Sequence, residues 1–221
     1  MHQPNNRKVL VTGGDNGRAT AITNCELYDP LSGNWTVTGS MNNARYRHTA
    51  VVLKNGQVLS MSGTDNTTEI YDSSNGTWTS VDNMKDGRMF AVAIVLPNGK
   101  VLITVLVTSG GCSTSSELYD PLTETWSITG TLTDGKQYHT ASVLSNGKVL
   151  VAGGDVCSGA LNSGELYDPQ TGTWTIEDNM NDQRELHSST VLQNGNVLIA
   201  GGFTAMNSAE VYIPLNKLKN D

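Results

Sequence analysis

Charged residues and long apolar segments are both scarce in this sequence of 221 residues. Asp, Glu, Lys and Arg make up 16% of it and leave a net charge of −7, so it offers no basic footprint for nucleic acid or an anionic membrane. No apolar segment approaches the ~18 residues of a membrane-spanning helix. The first residues, MHQPNNRK, lack the apolar core of a secretory signal. We therefore expect no nucleic-acid or membrane partner, and the missing signal favours a cytoplasmic location.

Cysteine and catalytic motifs are sparse as well. Cys25, Cys112 and Cys157 are an odd number at unrelated spacings, which predicts no disulfide framework and no metal site. The sequence has no G-x-x-x-x-G-K-[ST] loop, no G-x-S-x-G elbow and no C-x-x-C pair. We accordingly expect no cofactor and no catalytic residues.

A repeat with fixed landmarks runs through the chain. Trp residues stand at 35, 78, 126 and 174, and a Tyr precedes each by seven positions, with a fifth Tyr at 212. Asn-Gly pairs begin at Asn55, Asn98, Asn146 and Asn194, in the same register. Glycine, at 23 residues, exceeds its usual share of about 7%. A chain built of such units consists of many short strands joined by tight turns.

Each unit predicts four short antiparallel strands. HTAVVL is an apolar run, Asn55-Gly56 predicts a type I′ hairpin turn with positive φ at both residues, and QVLSMSG returns. TEIYD and TWTSV follow after a loop and a turn. A sheet of this size buries both faces only when several are stacked radially, which predicts an all-β propeller.

The Gly-Gly after the second strand, the Tyr of ELYDP and the Trp of TGTWT resemble kelch repeats. The resemblance implies one kelch-type propeller domain over residues 1–221, with four-stranded blades at about 8–40, 46–82, 89–130, 138–178 and 187–215. One unit departs from the pattern, since ITVLVTSGG displaces its Gly pair to Gly110-Gly111, and an irregular loop is expected there.

The first and last of the five blades are predicted to be incomplete. The chain opens at the first hairpin turn, so the first blade lacks strand one. In the last blade Lys219 stands where the Trp is expected, so strand four is missing. Two interpretations remain open: a closed ring of five blades, or a fragment of a larger propeller. An open array would expose apolar faces and would be expected to self-associate.

The end of the propeller that carries the 2–3 and 4–1 loops varies most between units, and we predict the binding face there. Equivalent positions of the 4–1 loops and strand-one starts hold the candidate ligand-binding residues Arg45, His48, Arg88, Lys136, His139, Arg184 and His187. The resemblance implies that they ring the mouth of a central channel. They form either a cationic ring for an acidic peptide or a structural pairing with Glu26, Glu69, Glu117, Glu165 and Glu210, which recur on strand three.

Tyr138-His139 is similar to the Tyr-His pair of galactose-oxidase-type copper enzymes, which use a kelch-type propeller. However, HTA and HSS recur at His48 and His187 as the repeat's own consensus, and no cysteine partner can be located. The sequence therefore predicts a non-catalytic scaffold that recognises a protein or peptide. The alternatives are the propeller portion of an extracellular oxidase-like protein and a carbohydrate-binding propeller.

Overall fold

A computed structural model describes residues 8–18, 20–63, 65–104, 113–156 and 158–214. Within these ranges the fold is all-β, with 18 strands and no helix. The strands are β1 (Val9–Thr12), β2 (Cys25–Asp29), β3 (Asn34–Val37), β4 (Thr49–Val52), β5 (Val58–Met61), β6 (Thr68–Asp72), β7 (Thr77–Ser80), β8 (Val92–Val95), β9 (Val101–Thr104), β10 (Ser116–Asp120), β11 (Thr125–Ile128), β12 (Thr140–Val143), β13 (Val149–Ala152), β14 (Gly164–Asp168), β15 (Thr173–Glu177), β16 (Ser188–Val191), β17 (Val197–Ala200) and β18 (Ala209–Tyr212). The described residues accordingly contain no helix that could cross a membrane.

Five antiparallel sheets follow one another along the chain and are called blades 1 to 5 below. Blade 1 is β1-β2-β3 and blade 5 is β16-β17-β18, so both terminal blades are three-stranded. Blades 2 to 4 are the four-stranded sheets β4–β7, β8–β11 and β12–β15. The repeat unit thus predicts both the order of strands and the incomplete terminal blades, and the interpretation as a kelch-type propeller is confirmed at the level of fold.

The hairpin between strands one and two differs from the predicted type I′ turn. Gly56 has a φ of 88°, but Asn55 does not have a positive φ. The Gly56 N–H donates to the Leu53 carbonyl, and the Leu53 N–H donates to the Gln57 carbonyl. This is a type I turn followed by a glycine in the left-handed region, in which the Asn55 side chain accepts from the Gln57 N–H. The expectation of positive φ at both turn residues was wrong, because the side chain of Asn55 stabilises the turn from an ordinary φ.

Adjacent blades meet through an apolar layer. The first strands β4, β8, β12 and β16 lie side by side along the inner edge. Leu53, at the end of β4, packs with Val101 and Tyr119 of blade 3, and Leu96 packs in the same way with Val149 and Tyr167 of blade 4. The leucine that ends strand one is therefore a recurring plug between neighbouring blades.

The Tyr and Trp landmarks pair across strands three and four. In blades 1 to 4 the two rings lie 5.0–5.2 Å apart. In blade 2 the Trp78 indole donates to the Gly39 carbonyl, and the Tyr71 hydroxyl bonds the Thr38 hydroxyl at 2.6 Å. Thr38 and Gly39 both follow β3 of blade 1, and Thr129 and Gly130 bond the Tyr-Trp pair of blade 4 in the same way. The aromatic pairs of blades 2 and 4 are therefore seats for the preceding blade.

The aromatic seat also requires a close approach between two turns. A Cβ placed on Gly39 would lie 2.1 Å from the Gly76 carbonyl oxygen, and one on Gly130 would lie 2.4 Å from that of Gly172. Side chains at these two positions would push neighbouring blades apart. At the junction between blades 2 and 3, Asp82 stands at the position of Gly39 and Gly130, and Glu124 stands at the position of the turn glycine. This junction therefore lacks the glycine pair that allows the close approach.

Both ends of the array present apolar side chains to solvent. On blade 1 Val9, Val11 and Val37 are exposed, and Trp35 is 53% exposed although its counterpart Trp78 is only 8% exposed. On blade 5 Phe203 and Val211 are exposed. A ring closed by packing blade 5 against blade 1 would bury these faces, so the described residues form an open array.

Candidate functional site

The four predicted basic residues of the 4–1 loops lie in ion pairs inside the blades. Their side chains have no exposed surface, and each contacts the strand-three Glu of the blade that it precedes. The pairs, given as N to O distances, are Arg45–Glu69 at 3.0 Å, Arg88–Glu117 at 2.8 Å, Lys136–Glu165 at 3.0 Å and Arg184–Glu210 at 3.0 Å. This is the pairing between basic residues and the strand-three Glu series that the sequence offers as its structural interpretation. Ligand contact through these side chains stays a prediction.

The same carboxylates also hold the loop backbone. The Glu69 carboxylate accepts the N–H groups of Asn42 and Asn43 at 2.7 and 2.9 Å. The Glu210 carboxylate accepts those of Asn181 and Asp182 in the same manner. We call this unit of one Glu, one basic side chain and the loop backbone the linker clamp. It fixes the path by which each blade enters the next, which makes the 4–1 loops rigid supports.

Glu26 is the exception in the Glu series. It lies on β2 of blade 1 and is exposed, and its carboxylate has no hydrogen bond or ion pair within the described residues. Blade 1 therefore carries the acidic half of a linker clamp without the basic half.

The three predicted histidines lie at blade junctions. His48 Nε2 is 2.9 Å from the Thr12 hydroxyl, His139 Nε2 is 2.7 Å from that of Thr104, and His187 Nε2 is 2.9 Å from that of Thr140. Burial, followed by the charge of Lys136, lowers the pKa of His139 to about 3. Burial and the charge of Arg184 lower the pKa of His187 to about 4. His139 and His187 are therefore neutral at pH 7, and all three histidines join neighbouring blades through a hydrogen bond to a threonine.

Two residues beyond each basic residue, a side chain stands at the entrance to strand one in an unusual backbone conformation. Arg47, Phe90, Tyr138 and Leu186 have φ values of 56°, 52°, 56° and 55°. Non-glycine residues in this region are uncommon and cluster at functional sites. We call these four residues the rim. Sequence reasoning missed the rim as a set, although its members keep the repeat register and differ in type.

The rim residues contact one another in chain order. The Arg47 guanidinium lies 4.7 Å from the centre of the Phe90 ring, and the Phe90 and Tyr138 rings meet edge to face at 4.8 Å. The Phe90 N–H donates to the Arg47 carbonyl, and the Leu186 N–H donates to the Tyr138 carbonyl. Arg47 and Leu186 are exposed. The rim thus offers one accessible cation beside a continuous aromatic and aliphatic surface, held by rigid loops.

Two cavities lie at the opposite end, between hairpin turns of neighbouring blades. A cavity of about 400 Å³ between blades 3 and 4 is lined by Pro97, Lys148 and Asp168 among others. Its counterpart between blades 2 and 3 has about 250 Å³. Lys148 and Asp168 form an ion pair at 3.1 Å, which the equivalent Lys100 and Asp120 repeat at 3.0 Å. These repeated gaps are junction features rather than convergent polar sites.

Comparisons with known proteins identify the repeat in two segments of the chain. Residues 5–42 and 138–181 match the Kelch motif. The chain thus contains kelch repeats in these two segments. No curated protein matches it over its length or in part.

Among solved structures, the chain is similar to a fungal alcohol oxidase of the AA5 family, determined in complex with copper. The TM-score is 0.61 with 15% sequence identity, over 96% of this chain and 62% of the oxidase chain. The chain therefore spans less than two thirds of that oxidase, and the likeness shows the fold alone.

The described residues do not fit a copper site. They contain no group of three His, Cys, Asp or Glu side chains that could hold a metal ion. The Tyr138 ring packs on Phe90, and His139 is buried with its Nε2 on Thr104. Cys25 is a buried free thiol, while Cys112, Cys157 and the predicted irregular loop at Gly110-Gly111 lie outside the described residues. No copper chemistry is derived for this chain.

Proposed function

We propose that the chain is a non-catalytic binding module, and that the rim recognises a protein or peptide segment with a carboxylate next to an apolar side chain. The observation that carries the proposal is the set of four non-glycine residues held in the left-handed region at equivalent positions. Such a conformation costs of order 1–3 kcal/mol per residue. Repeating it in four blades directs four side chains toward one surface, which packing alone does not require.

The chemistry of the rim supports this ligand class. Arg47 is exposed and forms no ion pair within the described residues, so its guanidinium can donate two hydrogen bonds to a carboxylate in the bidentate geometry typical of arginine. Phe90 and Tyr138 supply the rigid apolar surface that dominates recognition sites. The linker clamps pair the other basic side chains of the 4–1 loops with carboxylates inside the blades, and these are Arg45, Arg88, Lys136 and Arg184. Arg47 is therefore the basic side chain that the rim presents to a ligand.

A binding experiment with matched variants tests the proposal. The probe is a short fluorescein-labelled peptide that alternates Glu with Phe, compared with a peptide in which Gln replaces Glu. We expect anisotropy to show binding of the first peptide, weakened about tenfold by Arg47→Gln because a charge-assisted hydrogen bond is lost. Arg18→Gln is the matched control, since Arg18 is also exposed and lies outside the rim. Equal affinity of folded Arg47→Gln and wild type, or of the Glu and Gln peptides, would contradict the proposal.

A further inference from the structure

Blade 1 has no partner strand at its inner edge among the described strands. β1 occupies the position of strand two, yet β2 is its only partner among the described strands. In the other four blades the strand-two strands β5, β9, β13 and β17 each pair on both sides. No described strand uses the N–H and C=O groups at this edge of β1, and pairing such an edge with an added strand is a common mode of peptide recognition.

A cavity of about 730 Å³ lies beside this edge. Leu10 and Leu27 of blade 1 and Val58 and Tyr71 of blade 2 line it, together with Val52, which is 65% exposed. Val58 and Tyr71 hold the positions at which Val101 and Tyr119 of blade 3 pack against Leu53. The cavity is the place where the other junctions hold the leucine that ends strand one.

Glu26 supplies a second, independent feature of the same blade. At the four equivalent positions, each carboxylate holds a basic side chain that comes from the segment entering the blade. Glu26 lies opposite Val11 of β1 and has no such partner within the described residues. Compared with the other four blades, the described part of blade 1 therefore lacks one positive charge and one strand.

The four segments that fill these roles elsewhere have one length and one pattern. They are RYRHTAVVL (45–53), RMFAVAIVL (88–96), KQYHTASVL (136–144) and RELHSSTVL (184–192). Each begins with the basic residue of a linker clamp and ends with Val-Leu. Nine residues thus carry the charge, the strand and the apolar plug together.

We propose that blade 1 is a strand-acceptor site for an extended segment of this chemistry supplied by another polypeptide. The segment pairs antiparallel with β1, as β4 pairs with β5, and continues the inner series β4, β8, β12 and β16. Its basic residue reaches Glu26, and its terminal leucine enters the cavity against Val58 and Tyr71. The site belongs to blade 1 and is independent of the rim.

The test uses a fluorescein-labelled synthetic peptide with the sequence RELHSSTVL and the whole chain. We expect saturable binding by anisotropy, with slower hydrogen exchange of β1 amides in the complex. Glu26→Gln should weaken binding about tenfold, because the charge-assisted contact is lost. A peptide that begins with Glu instead of Arg, and one that ends with Asn instead of Leu, should bind at least as poorly. Glu185→Gln, at another solvent-accessible Glu without a side-chain partner in the described residues, should bind like wild type.

Three results would overturn the proposal. The first is no binding of RELHSSTVL, or equal binding of the peptide that begins with Glu. The second is loss of binding in Arg47→Gln but not in Glu26→Gln, which would place the peptide at the rim. The third is protection of β1 amides in the free chain. Concentration-dependent protection would assign the edge to a second copy, and concentration-independent protection would assign it to residues of the chain itself.

Discussion

Blades 1 and 2 contain the same motifs in different surroundings. Trp35 and Trp78 each stack on a Tyr seven residues earlier, yet Trp35 is largely exposed and Trp78 is buried against Gly39. Glu26 is free within the described residues, whereas Glu69 holds Arg45 and two backbone N–H groups. The motif fixes the strand pairing inside a blade. The preceding blade and its linker decide whether the motif contributes to stability.

The largest difference between the two blades should appear when the shared Glu is removed. Glu69→Ala leaves the fully buried Arg45 without its carboxylate, and we expect it to lower the free energy of unfolding by about 3–5 kcal/mol. Glu26→Ala removes an exposed side chain without a partner in the described residues and should change it by less than about 0.5 kcal/mol. Urea denaturation of both variants checks this, and similar losses would show that the linker clamp does not account for the difference.

A second comparison concerns acid stability at the junctions. The pKa of His187 is lowered by burial to about 4 in the folded chain, below its ordinary 6.5, so the unfolded chain binds more protons between these pH values. This contribution to stability is complete above pH 7 and is lost as the pH falls. It amounts to on the order of 1–2 kcal/mol between pH 7 and pH 5.

We expect His187→Gln to flatten the pH dependence of unfolding between pH 7 and pH 5. His48→Gln, at the half-buried junction with blade 1, should flatten it less, although burial also lowers the pKa of His48. Denaturant midpoints of both variants and of the wild type, measured between pH 7 and pH 5, test this expectation. An unchanged slope in His187→Gln would show that His187 is not held neutral by the fold.

The aromatic seats allow a smaller and more exact comparison. The Tyr167 hydroxyl bonds Thr129 at 2.7 Å. At the junction between blades 2 and 3, Val81 stands at the position of Thr129, and the buried Tyr119 hydroxyl has no partner within the described residues. Thr129→Val should cost about 1–3 kcal/mol by leaving the Tyr167 hydroxyl unpaired. Val81→Thr should give the Tyr119 hydroxyl a hydrogen-bond partner and raise the free energy of unfolding by up to about 1 kcal/mol. Thermal melts of the two variants should therefore shift in opposite directions, and shifts of one sign would contradict this account of the seat.

The sequence predicted the sheets because its landmarks repeat: the spacing of Tyr and Trp determines strands three and four, and Asn-Gly marks the first hairpin. It also predicted the Glu series and its basic partners as one of two interpretations. It did not reveal the rim, because Arg, Phe, Tyr and Leu give no local signal for positive φ. Nor could it show that Asn55 keeps an ordinary φ, since both turn types favour Asn-Gly.

Native-state amide hydrogen exchange, followed blade by blade, tests most directly the claim that a preceding segment completes each blade. β1 and β5 occupy the same position in their sheets, but only β5 is paired on both edges. The account predicts that amides of β5, β9 and β13 exchange slowest, near the rate set by global unfolding, and that those of β1 exchange much faster. Equal protection of β1 and β5 in the monomeric chain would contradict it.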